Sequence, residues 1–174
     1  MSPLGCHVTA PREAIDYTMR ANFGSAVELC QLAIPELVKT EGVILFTGGI
    51  PSTEPFPFVT FFGAAKAALQ QFMRCLAVEL GPKGVRVNCV SPGSVNSGIW
   101  AKHGMSEEAQ NKHYEFYKDT QPIKVAGTCQ HVADAAVFLC SHKAAFITGQ
   151  TLVADGGYTL LRPSPPMEEQ KRDD

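Results

Sequence analysis

Charge is scarce in this chain, and neither sign dominates. Charged residues make up 18% of its 174 residues, and 15 Lys and Arg stand against 17 Asp and Glu, a formal charge of −2. With a pI near 6.2, it carries no electrostatic footprint for nucleic acid or an anionic membrane surface. Long apolar runs are lacking too. The longest weakly charged stretch, Gly42 to Ala65, contains Glu54 and is broken by Gly48, Gly49, Pro51, Pro55 and Pro57, which excludes a spanning helix there. The opening Met1-Ser2-Pro3-Leu4-Gly5-Cys6 does not read as a signal peptide. Close cysteine pairs are missing: Cys6, Cys30, Cys75, Cys89, Cys129 and Cys140 lie far apart. His7, His103, His113, His131 and His142 do not interleave with them at zinc spacing. Neither a structural metal nor a disulfide framework is expected. The expectation is a soluble cytoplasmic domain with buried, reduced thiols, and no nucleic-acid or membrane partner.

What the chain has is a normal apolar share, 45%, enough for one core. Short apolar runs alternate with helical patterns. Pro11 to Val38 places Phe23, Val27, Cys30, Ile34 and Leu37 at helical spacing, with a kink or break expected at Pro35. Val43-Ile44-Leu45-Phe46, ending in Gly48-Gly49, predicts a strand buried on both faces. From Phe62 to Leu80 the stripe Ala65, Leu69, Phe72, Leu76, Leu80 predicts a helix stopped by Gly81. Its smaller face (Ala64, Ala67, Ala68, Cys75) suits close approach of another helix. Val85 to Val90 and Thr151 to Ala154 are further strands; Ser106 and Thr128 each cap a helix between them. This order implies an α/β fold with parallel strands and helical crossovers. Residues 162–174 hold three prolines and seven charged residues and read as a flexible tail.

In open parallel sheets, ligands bind beyond the carboxyl ends of strands. Thr47-Gly48-Gly49, Ser91 to Ser97 and the turn after Ala154 lie there, and their glycines and prolines allow a flat ligand close to the backbone.

Asn22, Gly42-Val43-Ile44, Phe62-Gly63-Ala64-Ala65-Lys66-Ala67-Ala68-Leu69, Val85 to Gly93, Thr148-Gly149-Gln150 and Asp155-Gly156-Gly157 stand in one order and spacing. From about residue 11 to residue 160, the chain resembles the short-chain dehydrogenase/reductase family. The resemblance implies a Rossmann-like parallel sheet with flanking helices and NAD or NADP as cofactor. It also implies hydride transfer between that cofactor and a carbonyl or alcohol. By motif, Lys66 takes the place of the lysine that holds the nicotinamide ribose and lowers the tyrosine pKa, and Asn22 that of the proton-relay asparagine. Pro92, Gly93, Val95 and Ser97 take the place of the nicotinamide wall. The catalytic tyrosine position falls on Phe62 and the serine position on Gly49.

A phenyl ring cannot give or take a proton, and a glycine offers no side-chain donor. Ser52, Thr53 or Thr47 could stand in for the serine only by loop rearrangement. Tyr17 and Tyr114 belong to other segments, so no tyrosine is expected nearby. No G-x-x-x-G-x-G stands before Asn22, so the pyrophosphate turn is missing and cofactor binding is doubtful. The resemblance therefore implies a partial domain over residues 1–161 without the first four strands. Strand Val43 to Phe46 would then expose a flat edge. The reading that follows is an oxidoreductase by descent with little or no activity. The alternatives are a pseudoenzyme subunit pairing with itself or with intact relatives through its two long helices, or a fragment or isoform of a longer oxidoreductase.

Overall fold

The computed structural model describes residues 8–161. The predicted tail, with Cys6 and His7, lies outside the described residues. Helix α1 (Arg12–Met19) runs into one π-helical turn (Arg20–Gly24) and then α2 (Ser25–Lys39). Strand β1 (Val43–Thr47) precedes α3 (Thr60–Leu80), and β2 (Arg86–Pro92) follows it. Short β3 (Val95–Asn96) and α4 (Ile99–Lys102) lead to α5 (Glu107–Thr120). After β4 (Gly127–Thr128) come α6 (Cys129–Cys140) and β5 (Thr151–Ala154).

The main sheet has the order β1-β2-β5, parallel throughout. Val43 pairs with Arg86 and Thr47 with Val90; Cys89 pairs with Thr151 and Pro92 with Ala154. This register brings the carboxyl ends of all three strands to one side, where the predicted ligand turns are. A second parallel pair, β3 with β4, lies outside this sheet; two residues per strand are too few to announce themselves by alternation.

The core lies between the sheet and α3. Leu69, Met73, Leu76, Ala77 and Leu80 pack with Ile44, Phe46, Val87 and Cys89, and Cys30 of α2 joins them. The predicted stripe is buried except for Phe72, which is half-buried, and Met73 belongs to it as well. Asn88 is fully buried, and its amide is matched on both sides: Nδ2 donates to Ile147 O at 2.8 Å and Oδ1 accepts from Gln150 N at 3.1 Å. That pairing offsets the cost of burying an amide. Arg86 donates to Leu139 O at 2.7 Å and Ser141 O at 3.1 Å, tying the end of α6 to the sheet.

Helix starts follow the capping chemistry. Ser106 Oγ accepts from Ala109 N, and Thr128 and His131 form a reciprocal capping box. Helix α3 ends at Leu80 with Gly81 at its cap, as expected; Gly81 keeps right-handed helical geometry, and the left-handed residue that closes the region is Gly84 (φ 78). Three expectations need correction. Pro35 sits inside α2 without breaking it, and both Pro35 and Gln31 one turn earlier are exposed, which leaves the freed carbonyl open to solvent. The interruption is instead the π turn at Arg20–Gly24, which no residue type signals. Strand β1 is deeply buried on one face only: Ile44 and Phe46 are buried, Val43 and Leu45 half-buried. It is the outer strand, so less covers its second face. The thiols divide: Cys30 and Cys89 are buried, whereas Cys75, Cys129 and Cys140 are exposed. No described helix is long and apolar enough to cross a membrane.

Candidate functional site

At the carboxyl end of β1, Gly48 N donates to Val90 O at 2.8 Å and prolongs the ladder by one residue. A Cβ on Gly48 would come within 2.9 Å of Cys89 Sγ, so the glycine lets the chain cross the core thiol. The chain then turns through a 3₁₀ turn, Ile50–Ser52, onto α3. A Cβ on Gly63 would stand 2.5 Å from Pro51 O; the bare glycine lets the first turn of α3 lie directly against that turn. Phe62 and Lys66, four apart, consequently share the helix face that looks onto the end of β1.

Lys66 Nζ donates to Thr47 O at 2.9 Å and lies 5.6 Å from the centre of the Phe62 ring. Burial pushes the Lys66 ammonium below its ordinary value, with the Cys89 thiol acting in the opposite direction. A Cβ on Gly49 would lie 3.5 Å from Phe62 Cε1, so positions 49 and 62 face each other. Two of the three hydroxyls considered as stand-ins, those of Ser52 and Thr53, are already engaged, and Thr47 lines the cavity at the end of β1. Ser52 Oγ donates to Gly49 O at 2.7 Å and accepts from Gln70 Nε2 at 2.6 Å; Thr53 Oγ1 donates to Ile50 O at 3.3 Å. Asn22 stands in the π turn, and its Nδ2 donates to Thr18 O at 3.0 Å. It braces the widened turn while still reaching the cavity.

All eight residues singled out from the sequence (Asn22, Gly49, Phe62, Lys66, Pro92, Gly93, Val95 and Ser97) line one cavity of about 590 Å³. The role expected of Gly93 changes. A Cβ there would stand 2.7 Å from Asp155 Cβ, so the glycine is needed where two strand ends meet, whether or not a ligand approaches.

Sequence reasoning missed a second wall: Phe56, Trp100, His113, Tyr117 and Cys129 also line the cavity, together with Ser94 of the Ser91 to Ser97 turn already singled out. Rings hold this wall together. Trp100 and His113 meet at 4.8 Å, His113 and Tyr117 at 4.9 Å, and Tyr117 and Tyr158 at 4.7 Å between centroids. Asp155 places Tyr158 by accepting from Gly157 N and Thr159 N, each at 2.8 Å. The one signal in the sequence was the aromatic cluster His113, Tyr114, Phe116 and Tyr117 on a helix whose other side chains, Ala109 apart, are polar or charged. The expectation of no nearby tyrosine therefore fails, since Tyr117 reaches the cavity. Its hydroxyl is pushed up to about 12, by burial first and by Tyr158 second. That is the wrong direction for a general acid/base, which works best with a pKa near the operating pH. Burial also lowers His113, keeping the imidazole neutral.

A family model described as enoyl-(acyl carrier protein) reductase matches residues 2–159. The chain belongs to the short-chain dehydrogenase/reductase family. A tropinone reductase homolog from Datura stramonium is 34% identical over 161 residues, 87% of this chain and 59% of that protein. A short-chain dehydrogenase/reductase of unknown function from Caenorhabditis elegans, solved with cofactor, superposes with a TM-score of 0.85 at 33% identity. That match covers 89% of this chain and 59% of the other. A gluconate 5-dehydrogenase from Burkholderia cenocepacia, in complex with NADP and tartrate, shares the fold: TM-score 0.79 at 19% identity, over 88% of this chain and 59% of that one. This short-chain dehydrogenase/reductase domain thus spans somewhat under two thirds of the length of these relatives.

Proposed function

We propose that this chain is an NAD(P)-dependent oxidoreductase by descent that keeps the family's substrate pocket but transfers hydride weakly or not at all. The observation that carries the reading is the Phe62 ring, one helical turn before Lys66, opposite Gly49, where the family resemblance places tyrosine and serine. A positioned acid/base contributes about 10²–10⁴-fold in rate, and one donor to a developing oxyanion about 10²–10³-fold. Since such groups act as a unit, the two losses do not simply multiply. Ser52 and Thr53 are held by backbone carbonyls, and Tyr117 is too weak an acid; both facts support the reading.

The residues fit the cofactor only in part. Lys66, Asn22 and the Pro92–Ser97 turn suit the nicotinamide end. Among the described residues, no glycine-rich turn opens a helix where a pyrophosphate would sit. No step is therefore derived through NAD or NADP. On this reading the first four strands of the family sheet are not part of these 174 residues, and β1 is an edge that another strand would cover.

The test is direct. Incubated with NADH or NADPH and a panel of ketones and aldehydes, the 174-residue chain is expected to consume no cofactor above the protein-free rate. Turnover in the ordinary enzyme range, about 1–10³ s⁻¹, would overturn the proposal.

A second reading has its own support. Helix α2 leaves Leu29 and Leu32 exposed and α3 leaves Val78 exposed, which suits a non-catalytic subunit pairing with itself or with intact relatives through these helices. Sedimentation of the purified chain as a strict monomer, with no relative co-purifying from its native cell, would exclude it. A native mass well above 18.8 kDa would instead make the sequence a fragment of a longer oxidoreductase. In that longer protein, Phe62→Tyr with Gly49→Ser should then raise turnover.

A further inference from the structure

Five rings follow one another beside the cavity: Trp100, His113, Tyr117, Tyr158 and Phe56, the last two stacked at 6.2 Å and 22°. They come from α4, α5, the turn after β5 and the loop after β1. All but Tyr158 line the cavity, and Phe62 lines it as well. Such walls offer flat faces and positive edges, which match a planar ring system better than a flexible chain.

The polar groups are few and mostly engaged. Asn22 Nδ2 serves Thr18 O and Lys66 Nζ serves Thr47 O. Within the ring wall itself, Ser94 Oγ lies 2.9 Å from His113 Nε2. If Nε2 bears the proton, it donates to Ser94 Oγ and the serine O–H is free to donate elsewhere. If Nε2 accepts the serine proton, the spare donor is His113 Nδ1–H. Either tautomer leaves this pair one donor beyond the bond it already makes. Because burial lowers the pKa of His113 and favours the uncharged ring, the pair offers no opposite charge to offset the desolvation of a carboxylate, and a neutral acceptor is the less costly partner.

Resting on the reading of the pocket as one that binds without turnover, the geometry points to a ligand class. It is a flat fused-ring molecule with one neutral acceptor, such as an aryl ketone, lying against Trp100 and Tyr117 and hydrogen-bonded by the Ser94–His113 pair. The pair stands outside the Asn22, Phe62 and Lys66 positions, so loss of hydride transfer does not remove this anchor.

Trp100 is the only tryptophan of the chain, so its indole N–H gives one unambiguous peak in a ¹H–¹⁵N spectrum of the full chain. Titration with 2-acetonaphthone and with 2-ethylnaphthalene, which has the rings but no acceptor, should move that peak saturably in both cases. The ketone should bind about 3- to 10-fold tighter, the worth of one neutral hydrogen bond. Replacing both residues, Ser94→Ala with His113→Phe, should abolish the preference while 2-ethylnaphthalene still binds, which shows that the double variant is folded; either single variant leaves one donor in place. Loss of the preference in the double variant supports the pair as anchor. No saturable shift, equal affinities in the native chain, or a preference retained in the double variant would overturn the inference. Cofactor consumption with 2-acetonaphthone would overturn the proposed lack of turnover yet leave the ligand class standing. A silent indole peak without turnover would do the reverse.

Discussion

On one side of the cavity, Thr47, Gly49, Phe62 and Lys66 stand on β1, α3 and the turn between them. On the other, Trp100, His113 and Tyr117 stand on α4 and α5. The first wall is backed by the core: Ile44, Phe46, Leu69, Met73 and Val87 lie directly behind it, each no more than 9% exposed. The second has little behind it. Neither α4 nor α5 contains a buried residue; the ring contacts and Ser94–His113 hold their cavity side, and just past α5 the buried Gln121 and the Ile123 N to Gly156 O bond tie the chain to the end of β5. Ring contacts of this kind contribute about 0.5–1.5 kcal/mol each beyond area burial. One wall is therefore a by-product of folding, and the other an assembly able to loosen without unfolding the domain.

The largest expected effect tests the first wall. Met73 is fully buried in the core cluster, so Met73→Ala should lower stability by about 2–5 kcal/mol, measured by urea denaturation. Tyr117→Ala should behave differently. Amides of α5 should lose hydrogen-exchange protection while those of β2 keep theirs, and the urea midpoint should move much less. Equal midpoint shifts in the two variants would show that the walls fold as one unit.

A smaller effect concerns pH and belongs to the second wall alone. His113 faces Ser94, Trp100, Tyr114 and Tyr117, and burial lowers its pKa from 6.5. In the unfolded chain the ring takes up its proton near 6.5; in the folded chain it does so only at lower pH. Its contribution to stability is therefore complete above about 6.5 and is lost as pH falls toward the folded value. The urea midpoint should drop between pH 7.5 and pH 5 by more in the native chain than in His113→Phe. Identical drops would place the pH sensitivity elsewhere.

The contrast also explains what the sequence disclosed. The stripe Ala65, Leu69, Leu76, Leu80 and the runs at Val43 and Val85 are periodic because they face a continuous core, and periodicity can be read without coordinates. Asn22, Phe62, Lys66 and the Pro92–Ser97 turn were legible through the family resemblance, which assigns a place to each; periodicity alone would have left them as ordinary helix and turn residues. The ring wall had no such regularity. Phe56, Trp100, Tyr117 and Tyr158 come from four separate segments that read as loop or polar helix, and only tertiary contact brings them together. The π turn at Arg20–Gly24 was invisible for a related reason: it changes hydrogen-bond register by one residue without requiring a special residue type.

The smallest effect separates two glycines within the first wall. At Gly63 an added Cβ would meet Pro51 O at 2.5 Å, a backbone atom with no freedom to swing aside. Gly63→Ala should therefore cost about 1–3 kcal/mol. At Gly49 the backbone is extended (φ 164) and the nearest atom to an added Cβ is Phe62 Cε1 at 3.5 Å, an ordinary contact. No backbone strain and no clash oppose a side chain there, while alanine restricts the unfolded chain more than glycine does. Gly49→Ala should accordingly raise stability by about 0.4–1 kcal/mol, read from the urea midpoint. Such a gain would mean that nothing in the fold demands glycine at the position facing Phe62. A loss comparable to that of Gly63→Ala would mean that the turn after β1 has no room for a side chain opposite Phe62.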